Sequence, residues 1–198
     1  MLTRFLAPGF AALWLLGAVS GPLLHSRPLE QVKPTLQSSL IEADRAQQFR
    51  NMLAAAVRHE LVTLPYYDVF DWLEAELLSD GRVILRGEVV RPTTSDDAER
   101  RVRKIESVSR VINQIKVLSL SPRDRDLRIA LYRAIYNWDS PLFRYATRAM
   151  PPIHIVVDNG RVTLKGAVAT QFDSQLAYTA ANQVSGVFGV RNELQVDN

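Results

Sequence analysis

The chain carries three histidines, His25, His59 and His154, and no cysteine. The missing thiols remove disulfides, thiolate metal sites, cysteine nucleophiles and lipid attachment at a lipobox cysteine. His59-Glu60 opens like the helical zinc-protease motif, in which a second histidine four residues on completes the metal-facing pair. Thr63 occupies that position, so His59 reads as a salt-bridged or capping histidine. His154 stands between Ile153 and Ile155 and reads as a half-buried, hydrogen-bonded ring rather than a general base. Among the carboxylates Asp68, Asp71, Glu74 and Glu76, the last two share a strand face and would suit acid/base work. With no base or metal ligand beside them, they read as a solvated face. Gly186-Val187-Phe188-Gly189 has the GxxG spacing of KH modules, but its middle residues are apolar and it leads into a strand. No constellation calls for a catalytic role, a metal or a cofactor.

Composition narrows the partners. The 198 residues carry a formal charge of +3, with 24 basic and 21 acidic side chains. Arg4 is the only charge in residues 1–26, so the remainder holds 23 basic against 21 acidic groups. Charge so evenly mixed does not make the basic stripe that nucleic-acid binding needs. Residues 1–26 themselves read as an export signal: Met1 to Arg4 carry one positive charge, and Phe5 to Leu24 are uncharged. Ala18, Val19 and Ser20 suit cleavage before Gly21, whereas an uncleaved run of about 20 uncharged residues would anchor the chain in a bilayer. Both readings place the body outside the cytoplasm. Residues 27–41, with Pro28, Pro34 and several Gln and Ser, read as a linker.

The elements that must position any site come in two copies. Shifted by 79, Gly81 to Val117 lies on Gly160 to Val196 without a gap. Of these 37 pairs, 12 are identical, against about two or three from composition alone. The repeat divides the body into residues 42–118 and 122–198. Each copy opens with a helix, carried by Ala46, Phe49, Leu53, Ala56 and Val57 in the first and by Leu127, Leu131, Ala134 and Ile135 in the second. Ser121-Pro122 marks the second start, as a cap followed by proline at the first helical position. A hairpin follows, turning at Asp80-Gly81 or Asn159-Gly160, where Asx-Gly supplies the positive φ angles of a type I′ turn. Val83, Leu85, Gly87 and Val89 share the buried face of the next strand. A second helix then buries Ala98, Val102 and Ile105, or Ala177, Ala181 and Val184. Thr94-Ser95-Asp96-Asp97 offers capping chemistry at its start in copy one. A last strand runs Val111 to Val117 or Val190 to Val196. On it Asn113 and Asn192 share parity with inward residues, so each amide needs a hydrogen-bond partner near the helices.

The fold class is therefore α+β: two tandem α-β-β-α-β units, each a three-stranded sheet with two helices on one face. The D/N-G-x-V-x-L-x-G-x-V hairpin, with Gly81 and Gly87 or Gly160 and Gly166, and the V-x-x-V-x-N-x-[IL]-x-V ending resemble the BON domain. Copy two, with Ile153 to Val157 leading into Asn159-Gly160, follows the pattern closely. Copy one departs from it over Tyr66 to Leu78. The resemblance implies a non-enzymatic periplasmic or envelope protein without a cofactor. It also implies attachment to phospholipid surfaces or to other envelope proteins, in support of envelope integrity or stress tolerance.

The surface best suited to such attachment lies between the first helix and first strand of copy two. There Trp138, Leu142 and Phe143 alternate with Arg133, Arg144 and Arg148, beside Tyr136 and Tyr145. Aromatic rings favour the membrane interface, and arginines there are drawn to anionic headgroups. Trp138 follows Leu127, Leu131 and Ile135 around one helical face and is the member expected to turn into the core. The basic run Arg100, Arg101, Arg103 and Lys104 is expected to pair within its own helix. A second use of the fold is protein binding, chaperone-like, through sheet edges or the doubly apolar strand Ile153 to Val157.

Overall fold

A computed structural model describes residues 36–197, so the export signal and the linker up to residue 35 lie outside the described residues. Copy one comprises α1 (Leu36–Val62), β1 (Trp72–Leu77), β2 (Arg82–Val89), α2 (Pro92–Val102), β3 (Arg110–Asn113) and β4 (Lys116–Val117). Copy two comprises α3 (Pro122–Ile135), the single turn α4 (Phe143–Ala146), β5 (Ile153–Asp158), β6 (Arg161–Val168), α5 (Gln171–Asn182) and β7 (Gly189–Val196). Helix α1 begins inside the stretch expected as linker. Both copies belong to one unit, Ile41–Asn198.

In each copy an antiparallel hairpin is extended by a strand running parallel to its second arm, giving the orders β1-β2-β3 and β5-β6-β7. Parallel neighbours need a crossover, and α2 and α5 supply it. Copy one's last strand is interrupted at Gln114-Ile115, so β3 and β4 lie end to end along β2. Alternation holds throughout. Val83, Leu85 and Val89 are fully buried with Ala98 and Val102, as are Leu164, Ala177 and Ala181 in copy two. Across the hairpins, a Cβ on Gly87 would stand 1.9 Å from the Trp72 carbonyl oxygen, and one on Gly166 1.9 Å from that of Pro152. Only glycine fits where two backbones approach so closely.

Three local expectations change. Copy two's turn is type I′, with Asn159 and Gly160 both at positive φ. In copy one only Gly81 is, and Asp80 is not. There Leu78 N donates to Arg82 O and Gly81 N to Leu78 O, which closes a three-residue loop with a bulge at glycine. The extra residue shifts the repeat offset from 79 on the second strand (Val83 with Val162) to 80 on the first (Leu77 with Val157). Helix α2 starts at Pro92 without a side-chain cap, so Thr94 and Ser95 are buried in its first turn. Copy two does cap the equivalent helix, through Thr170, and Ser121 caps α3 as expected. Finally, Ala46, Phe49 and Ala56 are exposed, because α1 outruns its sheet and only the i, i+4 line Leu53, Val57 and Leu61 reaches the core.

Candidate interaction surfaces

The segment joining α3 to β5 is built around two tyrosines. Helix α3 ends at Ile135, and Tyr136 drops into the core, where its hydroxyl donates to Ile153 O (2.7 Å) and accepts from Ile153 N (3.2 Å). Burial pushes that phenol well above its ordinary pKa. Because the helix stops here, its phase no longer governs Trp138. That ring is 76% exposed, which corrects its expected place in the core. Leu142, expected on the contact surface, is instead completely buried. Two successive turns, Ser140 N to Asn137 O and Phe143 N to Ser140 O, reverse the chain and fold Leu142 inward.

Tyr145 is buried, and its hydroxyl accepts from Ala169 N (2.8 Å) and donates to Asp173 Oδ2 (3.0 Å). Arg144 lies over the Tyr145 ring and pairs with Asp173 at 2.6 Å while half its side chain stays in solvent. The hydroxyl of Tyr145 and the carboxylate of Asp173 hold the Arg144 guanidinium in its charged form. Arg148 approaches the same ring, 5.4 Å from its centre. Arg133 is exposed on α3, and neither it nor Arg148 pairs with a carboxylate among the described residues. Phe143 is 42% exposed. Phe172, beside Asp173 at the start of α5, is 68% exposed and was missed from sequence. A lone aromatic in a polar first turn carries no periodic signal. Arg144 thus ties α4 to the helix end that presents Phe172.

The doubly apolar β5 is occupied within the chain. Ile155 N donates to Val69 O at 2.8 Å, and Val69 joins copy two's core. The outward face of β5, His154 and Val156, is also buried. His154 sits between the rings of Tyr67 and Trp72 with Nδ1 2.6 Å from Asp71 O. Nδ1 therefore carries the proton and donates to that carbonyl. Burial holds the ring below the usual histidine range. The Asp71 carboxylate accepts from Val90 N (2.7 Å) and Asp68 N (3.3 Å). It takes the place that the Tyr145 hydroxyl fills at Ala169 in copy two. Burial raises Asp71 to about 6, more than those N–H donors lower it. Lys116–Asp158 (2.7 Å) and Lys165–Glu88 (3.8 Å) add ion pairs between the copies. Free use of β5 as a partner strand is excluded by this packing.

The remaining polar clusters are internal. Arg100 pairs with Asp97 and Arg103 with Glu99, as expected, while Arg101 reaches Glu60 on α1. His59 is exposed. No group of three or more His, Asp or Glu side chains that could hold a metal occurs among the described residues. No helix there is long and apolar enough to cross a membrane.

No curated protein matches the chain. Two solved structures of CdsD, a structural protein of the type III secretion system of Chlamydia trachomatis, are similar in part. One, of the C-terminal domain, is 12% identical, covering 73% of this chain and 96% of its own, with a TM-score of 0.27. The other is also 12% identical, covering 74% and 93%, with a TM-score of 0.28. The BON domain matches twice, at residues 78–119 and 144–198, one segment in each structural copy. The hairpin glycines and the asparagine of the last strand fall within both segments, and the chain is a member of the BON domain family with two BON domains in tandem.

Proposed function

We propose that this chain is a non-enzymatic, envelope-associated protein whose second BON domain rests on anionic phospholipid surfaces. The observation that carries this reading is that copy two exposes Trp138, Phe143 and Phe172 as well as Arg133, Arg144 and Arg148, with Arg144 and Arg148 both over the Tyr145 ring. Exposed rings insert at the headgroup level, and each arginine near anionic lipid contributes about 1 kcal/mol. Arg144 is held in place by Asp173 with half of its side chain still available. Leu142 is buried in the core of copy two and does not form part of this surface.

Flotation of residues 27–198 with vesicles of phosphatidylglycerol, compared with phosphatidylcholine, tests the reading. Binding is expected to prefer the anionic vesicles and to weaken as salt rises. Replacing Trp138 and Phe143 by Ala, or Arg133 and Arg148 by Glu, is expected to abolish it. Equal binding to both lipids, or full binding by both variants, counts against the reading.

A further inference from the structure

The two copies treat the outer edge of their first strand differently. In copy two each of the three outward residues of that strand is bonded through at least one backbone group. Ile153 is bonded by the Tyr136 hydroxyl, Ile155 N donates to Val69 O, and Val157 O accepts from Arg128 at 2.8 Å. Leu73, Ala75 and Leu77 of copy one stand opposite the same residues of their hairpin, through Gly87, Leu85 and Val83. The Tyr67 hydroxyl lies near the Leu73 backbone. Ala75 and Leu77, the counterparts of Ile155 and Val157, have no partner on that side among the described residues. An edge that the fold fills once is left open once.

That edge borders a groove of about 940 Å³, walled on one side by α1 through Ala54, Arg58, Leu61 and the 45% exposed Val62 and on the other by copy two through Pro152 and His154. On the other face of β1 stand Glu74 and Glu76. Among the described residues Glu74 pairs with no cation and accepts only from the Trp72 indole (2.5 Å). Glu76 is half exposed beside Arg86. A strand laid on β1 would turn alternate side chains toward α1 and the intervening ones toward these carboxylates. We propose that the β1 edge takes up an extended segment of a partner polypeptide that alternates apolar and basic residues, as β5 takes up Val69. Apolar side chains fill the groove over Ala54 and Val62, basic ones meet Glu74 and Glu76, and the backbone bonds to Ala75 and Leu77.

The test is a fluorescence anisotropy titration of the full chain, in mild detergent, against the labelled peptide Val-Lys-Val-Lys-Val-Lys-Val and the same peptide with Glu for Lys. The lysine peptide is expected to bind at least about tenfold more tightly. Ala75→Pro removes an outward N–H while sparing the ladder to β2, a position where an edge strand tolerates proline. It is expected to weaken binding by about tenfold or more. The surface variant Glu74→Lys with Glu76→Lys, which leaves the backbone untouched, is expected to reverse the peptide preference. Unchanged binding by Ala75→Pro together with an unreversed preference overturns the proposal. So does the absence of binding by either peptide, or self-association of the chain that Ala75→Pro abolishes, which would make a second copy the occupant.

Discussion

The side-chain amide of Asn113 donates to the Ser95 hydroxyl at 3.1 Å, and Asn192 repeats the bond to Ser174 at 2.9 Å. Each also reaches the serine carbonyl, and each Oδ1 accepts the amide two residues on, from Ile115 or Leu194. One side chain thereby fastens the last strand to the second helix and closes its own turn. Asn113 is the better shielded and donates to Glu99 as well (3.1 Å). Asn113→Ala is expected to cost about 1–3 kcal/mol by leaving buried polar groups unpaired, and Asn192→Ala less. Urea unfolding of the two variants measures the difference, and equal costs would contradict the asymmetry.

Much of this was open to reading before the structure. Strand parity alone turns Asn113 and Asn192 inward, and Ser95 with Ser174 is among the identical pairs of the repeat. Local rules also mark Ser121 as a cap and Gly160 as a turn residue. They fail where a position depends on where its element stops. Trp138 continues the apolar phase of α3, but the helix has ended, and Tyr136 fills the core instead. Of the residues proposed for contact, Phe143 and Arg148 are exposed as their aromatic and basic character leads one to expect, whereas Leu142 is folded inward by a turn. The two apolar faces of β5 implied a covering partner. That Val69 and Trp72 supply it is a tertiary pairing, for which the local pattern holds no signal.

Asp71 and His154 should pull stability in opposite directions with pH. Asp71 is raised by burial from 3.8 to about 6, so the folded state favours its protonated form. Its contribution is full below about 4 and is lost as pH rises through about 6. His154 is lowered by burial, so its contribution is full above about 6.5 and is lost on acidification through its folded pKa. Relative to wild type, His154→Gln is expected to lose its pH-dependent deficit as acid is added below pH ~6.5. Asp71→Asn is expected to show its smallest deficit above pH ~6 and its largest below pH ~4. Urea midpoints taken from pH 4 to 8 resolve the two slopes, and parallel curves for wild type and both variants would refute the assignment.

Copy two alone should be a poorer protein than the pair. Residues 119–198 lack Val69, which caps Ile155 N and fills copy two's core, and Trp72, which covers His154. Cutting the chain there exposes a strand that is apolar on both faces and open along one edge, the condition for strand-to-strand aggregation. Light scattering is expected to find residues 41–198 monomeric under conditions where residues 119–198 associate. Val156→Lys discriminates the cause. Val156 is only 4% exposed in the pair, so lysine there should destabilise residues 41–198 by about 1 kcal/mol or more. The same change should make the isolated copy more soluble, since it places a charge on an exposed face beside the open edge. If lysine instead leaves the isolated copy aggregated while destabilising the pair, exposure of β5 is not what drives association.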